Sequence, residues 1–115
     1  MKRELILFIE DILESIKLIE QYIKNLSKEN INKNQGIKDS IVRRLEIIGE
    51  AVKNIPDDFK ERYPEIPWKK IAGLRDIIIH AYFNIDLDIL WDIIQKDLLD
   101  LKENIQRIKK EMMNP

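Results

Sequence analysis

Three stretches of the chain place an apolar residue at every third or fourth position. The first consists of Leu5, Ile9, Ile12, Ile16, Ile19, Ile23 and Leu26; the second of Ile37, Ile41, Leu45, Ile48, Val52 and Ile55; the third of Trp91, Ile94, Leu98, Leu101, Ile105, Ile108 and Met112. This spacing puts the apolar side chains on one face of an α-helix. It predicts three long amphipathic helices. Because no segment sustains the alternation of a β-strand, we expect no sheet.

Polar and helix-breaking residues set the boundaries between these helices. Residues 30–36 (Asn-Ile-Asn-Lys-Asn-Gln-Gly) predict a loop, and the second helix should stop before Pro56. Pro64 and Pro67 bracket a short connector, after which a shorter helix begins at about Pro67-Trp68, since proline suits a first helical turn. That helix should end at residues 84–86, where Asp86 is a plausible N-cap for the last helix. The sequence predicts a single all-α domain over residues 1–115, an antiparallel up-and-down bundle of three long helices and one shorter one.

Within the second helix, Gly49 is costly for a helix interior and indicates close packing against a neighbour. We interpret Glu50 as a solvated carboxylate in preference to a site residue. Arg43 and Arg44 form a surface pair, one of which could face the site and hold phosphate.

Composition limits the classes of function. The chain has 20 Lys and Arg against 21 Asp and Glu, so any contact with nucleic acid requires a local cationic patch. Zero cysteines and one histidine argue against disulfides, thiolate metal sites and histidine-rich metal sites. The apolar run 5–9 ends at Glu10 and Asp11, far short of a membrane span. We see no signal peptide and expect a cytoplasmic location.

The shorter helix carries the candidate chemistry. His80, the single histidine, follows Arg75 by five residues and precedes Tyr82 by two. Helical geometry places Ile71, Leu74, Ile77, Ile78 and Ala81 on one arc, which should face the core. Arg75, Asp76 and His80 then lie on the opposite side. A proton-transferring side chain near a permanent cation suits chemistry on a phosphate, although from spacing alone a packed or surface histidine is the more common situation.

Two relations within this polar group matter for mechanism. Asp76 and His80 are an i, i+4 pair, so the carboxylate could orient the ring. Arg75 and His80 are about 140° apart around the helix and could converge on a substrate, or on a groove completed by a second chain. Ile79 and Phe83 lie on this same outer side, which suggests that a partner covers it.

Three segments together resemble a known family. The pattern Arg75-x4-His80-x-Tyr82, the approach 66–75 (Ile-Pro-Trp-Lys-Lys-Ile-Ala-Gly-Leu-Arg) and residues 44–52 (Arg-Leu-Glu-Ile-Ile-Gly-Glu-Ala-Val) are similar to HEPN-domain toxins of the HepT type. The resemblance covers nearly the whole chain. One departure is Leu98-Leu99, where many relatives should have a proline after the leucine. We therefore expect a straighter last helix here.

The resemblance implies a homodimeric, metal-independent ribonuclease that acts as a toxin and needs no cofactor. Its antitoxin would be an MNT-type nucleotidyltransferase able to adenylylate the motif tyrosine. On this basis Arg75 and His80 are expected to be catalytic, Asp76 to support them, and Tyr82 to be the modification site.

Two other classes of function remain open on the sequence. One is a HEPN-like dimer that binds a nucleotide or the transferase and cuts nothing, and the other is a bundle used only for assembly. The presence of both Arg75 and His80 favours the enzyme.

Overall fold

The computed structural model describes residues 2–74, 76 and 87–114. The helices in this part of the chain are α1 (Lys2–Ile23), α2 (Lys28–Asn32), α3 (Gln35–Asn54), α4 (Asp57–Glu61), α5 (Trp68–Ala72), α6 (Leu87–Asp92) and α7 (Leu98–Met113), with a π-helical turn (Ile93–Asp97) joining α6 to α7. No strand occurs among the described residues, and the molecule is an all-α bundle, as the sequence predicts.

The three predicted apolar faces form the core. All three long helices contribute side chains that are at most 2% exposed: Ile9, Ile12, Ile16 and Ile19; Ile41, Leu45, Ile48 and Val52; Leu98, Leu101, Ile105 and Ile108. The outer members of the predicted faces (Leu5, Ile23, Leu26, Ile37, Trp91 and Met112) are partly buried against them. Burial of these faces is the main stabilising contribution to such a bundle.

Ion pairs between α1 and α7 show that these helices run in opposite directions. Lys102 Nζ lies 3.0 Å from Glu20 Oε2, and Lys109 Nζ lies 3.9 Å from Glu10 Oε1. Residue numbers therefore rise along α1 as they fall along α7. Both pairs are exposed, so they report the arrangement without contributing much stability.

The predicted loop at residues 30–36 is partly wrong. Helix α2 occupies Lys28–Asn32, and Ser27 and Asn30 form a capping box at its N-terminus. Its Ile31 is 1% exposed, so core burial stabilises a helix too short to be stable alone. Helix α3 then begins at Gln35, where the Asn34 side chain accepts a hydrogen bond from the Ile37 backbone N–H. The apolar face of α1 extends past the helix itself, which ends at Ile23 before Leu26.

The connector between the second and shorter helices is also more structured than predicted. It contains α4, and Trp68 is buried against the core at the start of α5. The Trp68 indole N–H donates to the carbonyl oxygens of Lys60 and Tyr63, each at 3.1 Å. Trp68 therefore supplies a donor to carbonyls near the end of α4 and fixes where α5 begins.

The last helix contains an irregular turn. At Ile93–Asp97 the hydrogen bonding is of the π type, with the Leu98 N–H donating to the Ile93 carbonyl. The absence of a proline at Leu98-Leu99 therefore does not make this helix regular. None of the described helices is long and apolar enough to cross a membrane.

Candidate functional site

Arg75, His80 and Tyr82 lie outside the described residues, as does the predicted N-cap Asp86. The structure does describe the approach to them, residues 66–74, together with Asp76. Residues 66–74 form the support from which the chain enters the motif.

Helix α5 begins at Trp68 directly after Pro67 and ends at Ala72, with Gly73 as its C-cap. The Gly73 N–H donates to the Lys69 carbonyl at 3.0 Å, and the Asp76 N–H donates to the Gly73 carbonyl at 3.1 Å. Leu74 and Asp76 are again helical. The predicted uninterrupted helix from Pro67 onward is therefore wrong at Gly73, where a turn separates α5 from the motif residues.

Side-chain exposure on this segment agrees with the predicted arc where it can be compared. Ile71 is 1% exposed and Leu74 is fully buried, whereas Asp76 is exposed. The apolar side of the segment therefore faces the core, and the side that carries Asp76 faces outward.

Gly49 of α3 provides the close packing that the sequence predicts. It is buried, and a Cβ atom built there would lie 3.4 Å from the Ala72 carbonyl oxygen and 3.6 Å from that of Ile71. The C-terminal end of α5 thus rests on the backbone of α3. This contact fixes the depth at which α5 lies in the bundle.

A contact that the sequence analysis missed joins α5 to the last helix. Lys70 Nζ lies 3.2 Å from Asp97 Oδ1 in the π-helical turn. The two side chains are 55% and 25% exposed, respectively. The sequence indicates a special role for Asp97, an acidic residue next to the apolar positions of the last helix, but it does not indicate the partner of that residue.

Arg43 lies in a shallow cleft of about 250 Å³ between α1 and α3. Its guanidinium Nη1 is 3.6 Å from Glu46 Oε2, and Asp11 and Glu50 line the same cleft. Arg43 is exposed, Arg44 is half-buried, and Glu50 is exposed as expected. With three carboxylates and one guanidinium among its lining residues, this cleft has a local negative balance.

Among the described residues, no group of three or more His, Cys, Asp or Glu side chains is arranged to hold a metal ion.

The model of the HepT-like ribonuclease family matches residues 12–108 of this chain. The chain belongs to the HepT-like ribonuclease family. A Thermococcus cleftensis protein named "Probable ribonuclease HepT" is 43% identical over 110 residues, which are 96% of this chain and 100% of that protein. No solved structure matches the chain.

A second relative has a longer chain. The Methanocaldococcus jannaschii protein named "Gamma-glutamylcyclotransferase and putative RNase MJ0434" is 43% identical over 112 residues. These are 97% of this chain but 50% of that protein, so the chain spans about half its length.

Proposed function

We propose that this chain is a metal-independent endoribonuclease that acts as the toxin of a HEPN/MNT toxin–antitoxin system in the cytoplasm. The observation that carries the proposal is the family match over residues 12–108, a range in which the sequence has both Arg75 and His80. In RNA cleavage without metal, an imidazole can act as the base and a guanidinium can stabilise the charge that develops on the phosphate.

In the proposed reaction, His80 takes the proton from a ribose 2′-hydroxyl, and the 2′-oxygen attacks the adjacent phosphorus. Arg75 stabilises the extra negative charge on the phosphate oxygens by charge-assisted hydrogen bonds. The bond from phosphorus to the 5′-oxygen breaks, and that oxygen takes a proton from an acid. The products are a 2′,3′-cyclic phosphate and a 5′-hydroxyl end.

The chain has one histidine, so the acid must come from another group. We propose a two-fold homodimer in which the partner subunit's His80 is that acid. A two-fold interface is self-complementary, so both copies of the motif would line one cleft. Asp76, exposed on the outer side of the segment, would orient His80.

Arg43 and Arg44 are further candidates to contact the RNA phosphates. The exposed guanidinium of Arg43 can reach an anion, but its cleft also contains Asp11, Glu46 and Glu50, which oppose one. Arg44 is half-buried on the same helix.

The antitoxin would be an MNT-type nucleotidyltransferase that adenylylates Tyr82. In that step the tyrosine oxygen attacks the α-phosphorus of ATP, and pyrophosphate leaves. The attached phosphate would bring negative charge and bulk to the face that must accept the RNA backbone.

The test is cleavage of RNA in EDTA by the purified chain and its His80→Ala and Arg75→Lys variants. Both variants should lose about 10²–10⁴ in rate, because His80 supplies proton transfer and lysine lacks the bidentate fork of arginine. Arg62→Lys, on an exposed residue after α4, is the matched control and should cleave at the parental rate.

A folded His80→Ala protein that cleaves RNA like the parent would refute the assignment. A folded parent that cuts nothing but binds a nucleotide or the transferase would favour the non-catalytic HEPN-like dimer instead.

A further inference from the structure

Asp97 lies at the edge of the apolar face of the last helix. Counted at about 100° per residue from Leu90, Asp97 falls between Ile93 and Ile108 on a regular helix. Leu90, Ile93 and Ile108 are all buried, at 9%, 5% and 0% exposure. A carboxylate on this arc contradicts the pattern of the helix, and such contradictions concentrate at functional positions.

The π-helical turn accommodates this carboxylate. Asp97 is the last residue of the turn Ile93–Asp97, and the side chain keeps 25% of its surface exposed. A π-type turn inserts one extra residue into a helix and so changes the direction of the side chains around it. Asp97 can therefore reach Lys70 Nζ at 3.2 Å while Ile93, Ile94 and Leu98 stay in the core.

Helix α5 is thus held from two sides immediately before the motif. The backbone of Gly49 supports its C-terminal carbonyls, and Asp97 holds Lys70 from the last helix. From α5 the chain passes through the turn at Gly73 into Arg75, so the orientation of α5 sets the direction in which the motif begins.

We propose that Asp97 and Lys70 are positioning residues that fix α5 and thereby the start of the catalytic segment. The inference rests on the proposed ribonuclease function. An exposed ion pair of this kind contributes little to global stability. Its effect is instead local, because the pair holds α5 and thereby places Arg75 relative to the substrate phosphate.

The first measurement is amide hydrogen exchange of the full-length protein, followed over residues 68–76. Asp97→Asn should speed exchange of the Gly73 and Asp76 amides, because α5 loses its hold on the last helix. Glu20→Gln is the matched control, since it removes a comparable exposed ion pair, that of Glu20 with Lys102, which joins α1 to α7 and not to α5. It should leave exchange of residues 68–76 unchanged. Equal exchange in Asp97→Asn and the parent would overturn the proposal.

The second measurement is the kinetics of RNA cleavage. Asp97→Asn and Lys70→Met should each lower kcat about tenfold with little change in KM, since a displacement of about 1 Å can cost as much as ~10² in rate. The charge-reversed double variant Lys70→Asp with Asp97→Lys should recover to within about threefold of the parent, because the two groups are coupled through contact.

Two kinetic outcomes would contradict the proposal. An unchanged kcat in Asp97→Asn would show that the pair does not position the motif. A raised KM in Lys70→Met, without recovery in the double variant, would assign Lys70 to direct RNA binding. A parent without ribonuclease activity would contradict the proposed function alone, since the exchange comparison does not depend on catalysis.

Discussion

At the scale of single residues, the surroundings of Tyr22 and Tyr63 bear on which of the three tyrosines is modified. The Tyr63 hydroxyl donates a hydrogen bond to Glu111 Oε2 at 2.8 Å, and Tyr22 packs against the core. Neither environment favours attack on a nucleotide. We predict that co-expression with the transferase adds AMP to Tyr82, so Tyr82→Phe should carry no adduct and Tyr63→Phe should carry a full one. Intact-mass spectrometry with peptide mapping measures this, and an adduct mapped to Tyr22 or Tyr63 would contradict the prediction.

Tyr63 should also make the protein less stable at alkaline pH. Partial burial and the hydrogen bond to Glu111 raise the pKa of the Tyr63 phenol above its ordinary value of 10.0. A group whose folded-state pKa is raised contributes stability below its unfolded pKa and loses it as the pH rises through the folded pKa. Urea unfolding between pH 9 and pH 11 should therefore show a stability loss above about pH 10 that is smaller in Tyr63→Phe. An identical loss in both proteins would contradict this.

The sequence predicts the burial and packing of some candidate residues but not the ion pairs that others form. The burial of Ile71 and Leu74, the exposure of Asp76 and the close packing at Gly49 follow from helical periodicity and the small size of glycine. The pairing of Lys70 with Asp97 could not be predicted, because it joins residues 27 apart in the chain across two helices. Only the position of Asp97 among apolar neighbours indicates that it has a special role.

At the scale of helices, the junction of α3 with α5 permits a graded test. A Cβ atom at Gly49 would make ordinary contacts of 3.4 and 3.6 Å with two carbonyl oxygens. Gly49→Ala should therefore fold normally and gain up to ~1 kcal/mol from its higher helix propensity.

Gly49→Val adds two further methyl groups toward α5, and overpacking of this kind costs about 1–3 kcal/mol. We predict that it displaces α5 and lowers RNA cleavage, whereas Gly49→Ala keeps both. Thermal unfolding and a cleavage assay of the two variants check this. A strongly destabilised Gly49→Ala would show that the contact between α3 and α5 is tighter than the structure indicates.

The helices themselves show which elements the sequence can predict. Long helices contain several repeats of the apolar pattern, so α1, α3 and the last helix are evident from spacing. The five-residue helices α2 and α4 contain little more than one turn, and their stability comes from burial of Ile31 and Phe59. The π-helical turn escapes detection because the apolar positions on either side of it still differ by three or four.

At the scale of the whole molecule, the proposed mechanism requires a dimer. The chain has a single histidine, so a second imidazole for the acid step must come from another copy of the chain. We predict a dimer at micromolar concentration by light scattering or sedimentation, and mixed dimers of parental and His80→Ala chains with reduced activity. A stable monomer that cleaves RNA would contradict the two-histidine mechanism.

The chemical ends of the RNA fragments test the proposed mechanism most directly. The purified chain should be incubated with a short RNA in EDTA, and the fragments should be weighed by mass spectrometry. Attack by the 2′-oxygen predicts fragments that end in a 2′,3′-cyclic phosphate, with 5′-hydroxyl ends on the other side of the cut, and about 10²–10⁴-fold slower formation of these fragments by His80→Ala. Cleavage that stops in EDTA, or fragments with 3′-hydroxyl and 5′-phosphate ends, would contradict the account.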